Sequence, residues 1–149
     1  MSVKSLVACA LVLLAAALAG CVPTPLAKPE ADTVAKQMRP VPEKAVIYLF
    51  RNEPASAPWP LRVMLDGKDM GDTSALSYFR WIVEPGEHMI ISHSQTTAGL
   101  LMNVEPGGIY YVWQEVRMGF FQPVTELHKV DRTTAEIALR SCYLLAGKS

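Results

Sequence analysis

Two hydrophobic patterns divide the chain. From Leu6 to Ala19 every residue is apolar, whereas from Lys44 onwards apolar stretches are short and separated by turn residues. Ala45-Val46-Ile47-Tyr48-Leu49-Phe50 is continuous and rich in β-branched and aromatic side chains, which predicts a buried first strand. Leu61 to Leu65 alternates and is followed by Asp66-Gly67, a pair suited to a type I′ turn because both central positions need positive φ. Met70-Gly71 predicts a short return segment. Ser77 to Val83 alternates, with Phe79, Trp81 and Val83 on one face and Tyr78, Arg80 and Ile82 on the other. Further strands are predicted around Met89–Ile91, across Leu100, Met102 and Val104, over Ile109–Val116 and over Val124–Val130. Pro85-Gly86 and Pro106-Gly107-Gly108 punctuate them. Turns recur without interleaved helices, which predicts an antiparallel β-sandwich of immunoglobulin-like or prealbumin-like type with about seven strands. A single short C-terminal helix is predicted from a capping box at Thr133 and Glu136, through Ile137, Leu139 and Leu144, to Gly147.

Residues 22–43 carry Pro23, Pro25, Pro29, Pro40 and Pro42 and no sustained apolar period, so they read as a linker with at most a weak helix over Ala31–Met38. Fully stretched, such a linker spans roughly 70–80 Å. The predicted organisation is therefore a leader over 1–20, a tether over 21–43 and a β domain over 44–147.

The leader has its own logic. The apolar run of 14 residues is too short for a bilayer-spanning helix and fits the hydrophobic region of a signal peptide, with Lys4 as the positive charge before it. It ends at Leu18-Ala19-Gly20-Cys21. This sequence resembles the lipobox of bacterial lipoproteins. The resemblance implies cleavage between Gly20 and Cys21, diacylglyceryl transfer to the Cys21 thiol and acylation of the new amino terminus. Two or more chains anchor stably where one does not. Val22 replaces the aspartate that often marks inner-membrane retention in this class, which implies an outer-membrane lipoprotein facing the periplasm.

Composition narrows the function. Fourteen basic and fourteen acidic side chains balance, which excludes a basic nucleic-acid binder. Losing residues 1–20 removes Cys9, and lipidation uses Cys21, so Cys142 has no intramolecular partner. At helical spacing from Leu139 it reads as a buried apolar residue rather than as a bridge between chains.

Leu65-Asp66-Gly67-Lys68, Tyr78-Phe79, Val83-Glu84-Pro85-Gly86-Glu87-His88 and Pro106-Gly107-Gly108-Ile109-Tyr110-Tyr111-Val112 follow in that order. Together they resemble a family of small bacterial envelope lipoproteins of unknown function, and more loosely the PEGA-type β-sandwich modules. The resemblance implies a fold and a compartment and transfers no catalytic residue.

The residues offer little chemistry. His88 and His93 are five apart and so face opposite sides of a regular strand, and no zinc, calcium or phosphate-loop motif is present. No metal site or cofactor is expected; His88 is expected to pack in its turn and His93 and His128 to be solvated. Asp66, Asp69 and Asp72 read as a solvated hairpin. Without Gly-x-Ser-x-Gly or a visible nucleophile–base pair, an envelope hydrolase is the least favoured reading. Two surfaces remain. Trp59, in its proline-rich loop, and Phe120-Phe121 are candidates for binding a partner. Tyr78, Arg80 and Tyr111 on a sheet face are candidates for a small ligand or cell-wall glycan. The expectation is a non-enzymatic, membrane-anchored binding module with an envelope protein as partner.

Overall fold

The computed structural model describes residues 24–54 and 59–148, so the leader, the lipobox and Cys21 lie outside it. The described chain is mainly β, with a helix α1 over Pro29–Ala35, then β1 (Ala45–Arg51), β2 (Leu61–Leu65), β3 (Lys68–Thr73), β4 (Ser77–Val83), β5 (Gly86–His93), β6 (Thr97–Val104), β7 (Ile109–Met118), β8 (Pro123–Val130), helix α2 (Arg132–Leu139) and β9 (Tyr143–Leu144). Strands β8-β7-β1-β4-β9 form one sheet in that order, and β3-β2-β5-β6 form the second.

All seven residues of β1 are buried, as its continuous apolar run predicts, because both faces are covered. Ala45, Ile47 and Leu49 join Val63, Ile90, Met102 and Val112 in a core between the sheets. Val46, Tyr48 and Phe50 join Tyr78, Tyr111, Ala135, Leu139 and Cys142 in a second core under the helices.

The expected seven antiparallel strands become nine, two of whose pairings are parallel. β1 runs antiparallel to β4, with Tyr48 opposite Arg80, but parallel to β7, with Tyr48 opposite Tyr111. β9 is parallel to β4. Parallel neighbours need a long crossover, and the whole second sheet supplies it between β1 and β7. The Pro85-Gly86 and Pro106-Gly107-Gly108 turns accordingly pass the chain between sheets instead of closing hairpins. Asp66-Gly67 does close one: φ is 51° at Asp66 and 78° at Gly67.

The C-terminal helix also differs from its prediction. Its N-cap is Asp131, whose carboxylate accepts from the Thr134 amide at 2.8 Å, rather than Thr133. It ends at Leu139; Leu144 lies in β9 and Gly147 beyond it.

The largest correction concerns the tether. Thr24 Oγ1 accepts from the Asp72 amide at 2.7 Å, and residues 25–27 pair with 144–146 through Ala27 N–H to Leu144 O and Ala146 N–H to Pro25 O, both at 2.8 Å. Asp32 accepts from the Tyr78 hydroxyl at 2.8 Å and from the Leu144 amide at 2.9 Å. Tyr48 donates to the Ala35 carbonyl at 2.5 Å, and Ala35 and Met38 are buried. Residues 24–43 are thus part of the domain. Their few apolar side chains carry no period, but Ala35 and Met38 dock on a surface that the sheet supplies.

Candidate functional site

The structure brings the expected partner-binding residues to one end of the molecule. Trp59, Pro60, Leu61, His93, Phe121 and Pro123 line an open cleft of about 380 Å³. Gly119 N–H donates to Gln122 O at 2.9 Å and closes a tight turn that pushes the two phenylalanines outward. A Cβ on Gly119 would sit 2.6 Å from that carbonyl oxygen, so the turn requires glycine there. Phe120 and Phe121 are 89% and 75% exposed and meet edge to face, with ring centroids 4.5 Å apart. Phe121 lines the cleft while Phe120 stands at its side, packed on its neighbour.

Beneath the cleft lies a buried polar cluster. Arg51 is fully buried at the end of β1, where it donates from Nη1 to Trp59 O at 2.9 Å and to Thr73 O at 3.1 Å. Its other nitrogens face the Glu53 carboxylate. Burial draws the guanidinium below the usual arginine pKa, while Glu53 opposes that shift. Next to it Thr73 Oγ1 donates to Gln114 Oε1 at 2.7 Å, Gln114 Nε2 donates to Ser92 Oγ at 2.6 Å, and Ser92 donates to Thr125 Oγ1 at 3.2 Å. These bonds tie β3, β5, β7 and β8 together under the cleft and satisfy groups that would be costly to bury alone. The one signal in the sequence was an arginine closing an otherwise apolar strand.

The expected ligand face is not open. Tyr78 and Tyr111 are buried beneath α1 and α2, and Tyr48 stacks between them at ring distances of 6.1 and 5.5 Å. Burial pushes the Tyr78 phenol well above its ordinary pKa, helped by Asp32. Arg80 Nε donates to the Tyr48 hydroxyl at 3.1 Å. A sheet face bearing three tyrosines has the same alternation whether solvent or a helix covers it, which is why the pattern misled. Trp81 stacks on Phe79 in the inter-sheet core.

The histidines are more engaged than expected. His88 does pack in its turn, with Nδ1 2.6 Å from Asp66 Oδ2 and Nε2 2.8 Å from Glu84 O. Partial burial pulls its pKa down, but the Glu84 carbonyl and the Asp66 carboxylate outweigh that and leave it raised. His93 lies 3.3 Å from Met64 Sδ and lines the cleft. His128 bonds Glu115 at 2.8 Å and lies tilted against the Trp113 ring, with centroids 5.3 Å apart. Asp69 and Asp72 pair with Arg62, and Asp69 also with Lys148.

One grouping escaped the sequence search because it forms across strands. Glu115 and Glu126 are direct cross-strand partners, and with His128 they place three ligand-type atoms within 4.8 Å of one another. Arg117 pairs with both glutamates and supplies the counter-charge that directly opposed carboxylates need. The group is a network of surface ion pairs and hydrogen bonds.

Among known proteins, the chain is similar to an uncharacterized protein of Haemophilus influenzae, 28% identical over 125 residues that cover 82% of this chain and 74% of that one. No protein-family model matches it. No solved structure matches it either.

Proposed function

We propose that this protein is a lipid-anchored binding module of the bacterial envelope, held on the periplasmic side of the outer membrane by Cys21. On this reading its two sheets form a β-sandwich that presents the Trp59–Phe121 cleft to an envelope protein. The observation that carries the binding role is the convergence of Trp59 and Phe121 on one cleft, with Phe120 89% exposed beside them and the loop held from below by Arg51. Exposed aromatics on a rigid support are the residues that most often dominate protein interfaces, because burying them releases much apolar area for little lost side-chain freedom. The cleft is open and of modest size, which suits an apolar side chain or two from a partner. The role is one of binding, without catalysis or a cofactor.

In-cell chemical crosslinking of the full chain, followed by mass spectrometry of the adducts, tests this reading. One dominant protein partner, crosslinked through residues around the cleft and lost with Trp59→Ala, is the expected result. Adducts ranked only by abundance, unchanged in that variant, would overturn it and favour a small ligand or glycan instead.

A further inference from the structure

The anchor reading acquires a geometric consequence once Thr24 is located. Cys21 and Thr24 are three residues apart, which is at most about 11 Å of chain. Thr24 itself is fixed. Its hydroxyl accepts from the Asp72 amide, and it packs so closely over Gly71 that a Cβ there would lie 2.7 Å from its Oγ1. The residues after it are locked by the pairing of Pro25–Ala27 with Leu144–Ala146. The reach of the domain from its lipid is therefore about 11 Å, against the 70–80 Å that a free linker to Lys44 would allow.

The flank where the chain joins the domain has a matching surface. Leu26 and Tyr143 are 60% and 58% exposed, although both belong to the segments that close this edge of the fold. With Ala27, Pro29, Asp32, Thr33 and Leu144 they line a mainly apolar hollow of about 340 Å³, in which the Asp32 carboxylate is held by the Tyr78 hydroxyl, the Leu144 amide and Lys36. Lys28 and Lys148 are exposed on the neighbouring segments, Lys148 paired with Asp69. An apolar side chain, a tyrosine and lysines at a short distance from an acyl anchor are the residue types that settle at a phospholipid headgroup boundary.

We propose that the flank formed by Leu26, Tyr143 and the hollow between them rests on the lipid bilayer, so that the domain is seated on the membrane and not suspended from it. This rests on lipidation at Cys21. The Trp59–Phe121 cleft belongs to a different part of the surface, at the Leu61, His93 and Pro123 ends of β2, β5 and β8. It is then carried at a fixed height, and a partner has to come to the membrane to reach it.

The test places a photo-crosslinking amino acid at Leu26, Tyr143, Phe120 or Leu101 in the full chain, produced and illuminated in Gram-negative cells. Leu101 is a control, an exposed leucine on the outer face of the second sheet. Mass spectrometry then reads phospholipid adducts and, separately, the acylation of Cys21. Phospholipid adducts several-fold more abundant at Leu26 and Tyr143 than at Phe120 and Leu101 are expected. A long Gly-Ser insertion between Pro23 and Thr24 should erase that bias while the protein still fractionates with membranes. Equal adduct yields at the four positions, with Cys21 acylated, would overturn the seated arrangement and leave the anchor intact. An unacylated Cys21 would overturn both.

Discussion

Arg51 holds Trp59 by its backbone: the guanidinium, fully buried at the end of β1, donates to the Trp59 carbonyl at 2.9 Å. The same Nη1 reaches Thr73 O at 3.1 Å, and the head group is balanced by Glu53, so one side chain joins the loop, β3 and β1 beneath the cleft. The proposed binding surface is thereby tied to the strands although its most prominent residues lie in loops, an arrangement that limits the ordering cost of binding.

Replacing Arg51 with Met should cost about 3–5 kcal/mol, because Glu53 is left as a largely buried carboxylate without its counter-charge. The double change Arg51→Met with Glu53→Leu should recover part of that loss. Urea unfolding midpoints measure both, and near-ultraviolet circular dichroism reports whether Trp59 loses its fixed environment. If the single variant unfolds like the parent, the buried pair is not what supports the loop.

Asp32→Ala removes the acceptor of two bonds, from the Tyr78 hydroxyl and the Leu144 amide. A loss of about 1–3 kcal/mol is expected from the donors left unsatisfied. Deleting residues 24–43 should be worse, exposing the sheet face that Ala35 and Met38 cover. A freely moving tether could be deleted without effect on the thermal midpoint, so an unchanged midpoint would contradict the docked segment.

His88 gives a pH dependence whose sign is fixed. Its folded pKa is raised above the unfolded value near 6.5, with burial opposing and the Glu84 carbonyl and Asp66 carboxylate favouring the charged ring. The stabilisation is therefore fully present below the unfolded pKa and fades as pH rises through the folded pKa. Nuclear magnetic resonance titration of the ring should show a midpoint above 6.5, and Asp66→Asn should lower it. The change of stability with pH over that window should disappear in His88→Asn.

Cys142 is fully buried, with Sγ 3.2 Å from Arg51 O and 3.3 Å from Ala138 O, and burial raises its thiol pKa to about 11. In the native protein Cys142 should resist maleimide at pH 8 and react only when urea unfolds the chain, since the thiolate is the nucleophile. Rapid labelling of the folded chain would place the thiol at the surface and reopen the question of a disulfide between chains.

These outcomes also mark where the sequence was informative. Local signals carried through: the continuous run 45–50 is the doubly covered central strand, and Asp66-Gly67 is a turn with two positive φ angles. What failed were inferences about neighbours distant in sequence. Nothing in Ile109–Val116 says that it lies parallel to β1, because a crossover through another sheet leaves no local mark. Nothing in Tyr78 or Tyr111 says that α1 and α2 cover them, because an aromatic face can be stabilised by helices as well as by solvent and ligand. The proline-rich stretch 24–43 was misread for the same reason: its order comes from Asp72, Tyr78 and Leu144, not from its own composition. Trp59 and Phe121 stand out in the sequence as apolar residues in loops, and their meeting in one cleft depends on the Leu61, His93 and Pro123 strand ends coming together.

The most direct test of the binding role compares adduct yields in cells for the parent chain and for Trp59→Ala, Phe121→Ala and the control Ile137→Ala, an exposed apolar residue on α2. If the cleft is the centre of the interface, each cleft substitution should weaken the dominant partner by about 2 kcal/mol or more, roughly thirtyfold, while Ile137→Ala leaves it unchanged. Retention of the same partner at full yield in both cleft variants would contradict the account and move the binding surface elsewhere on the domain.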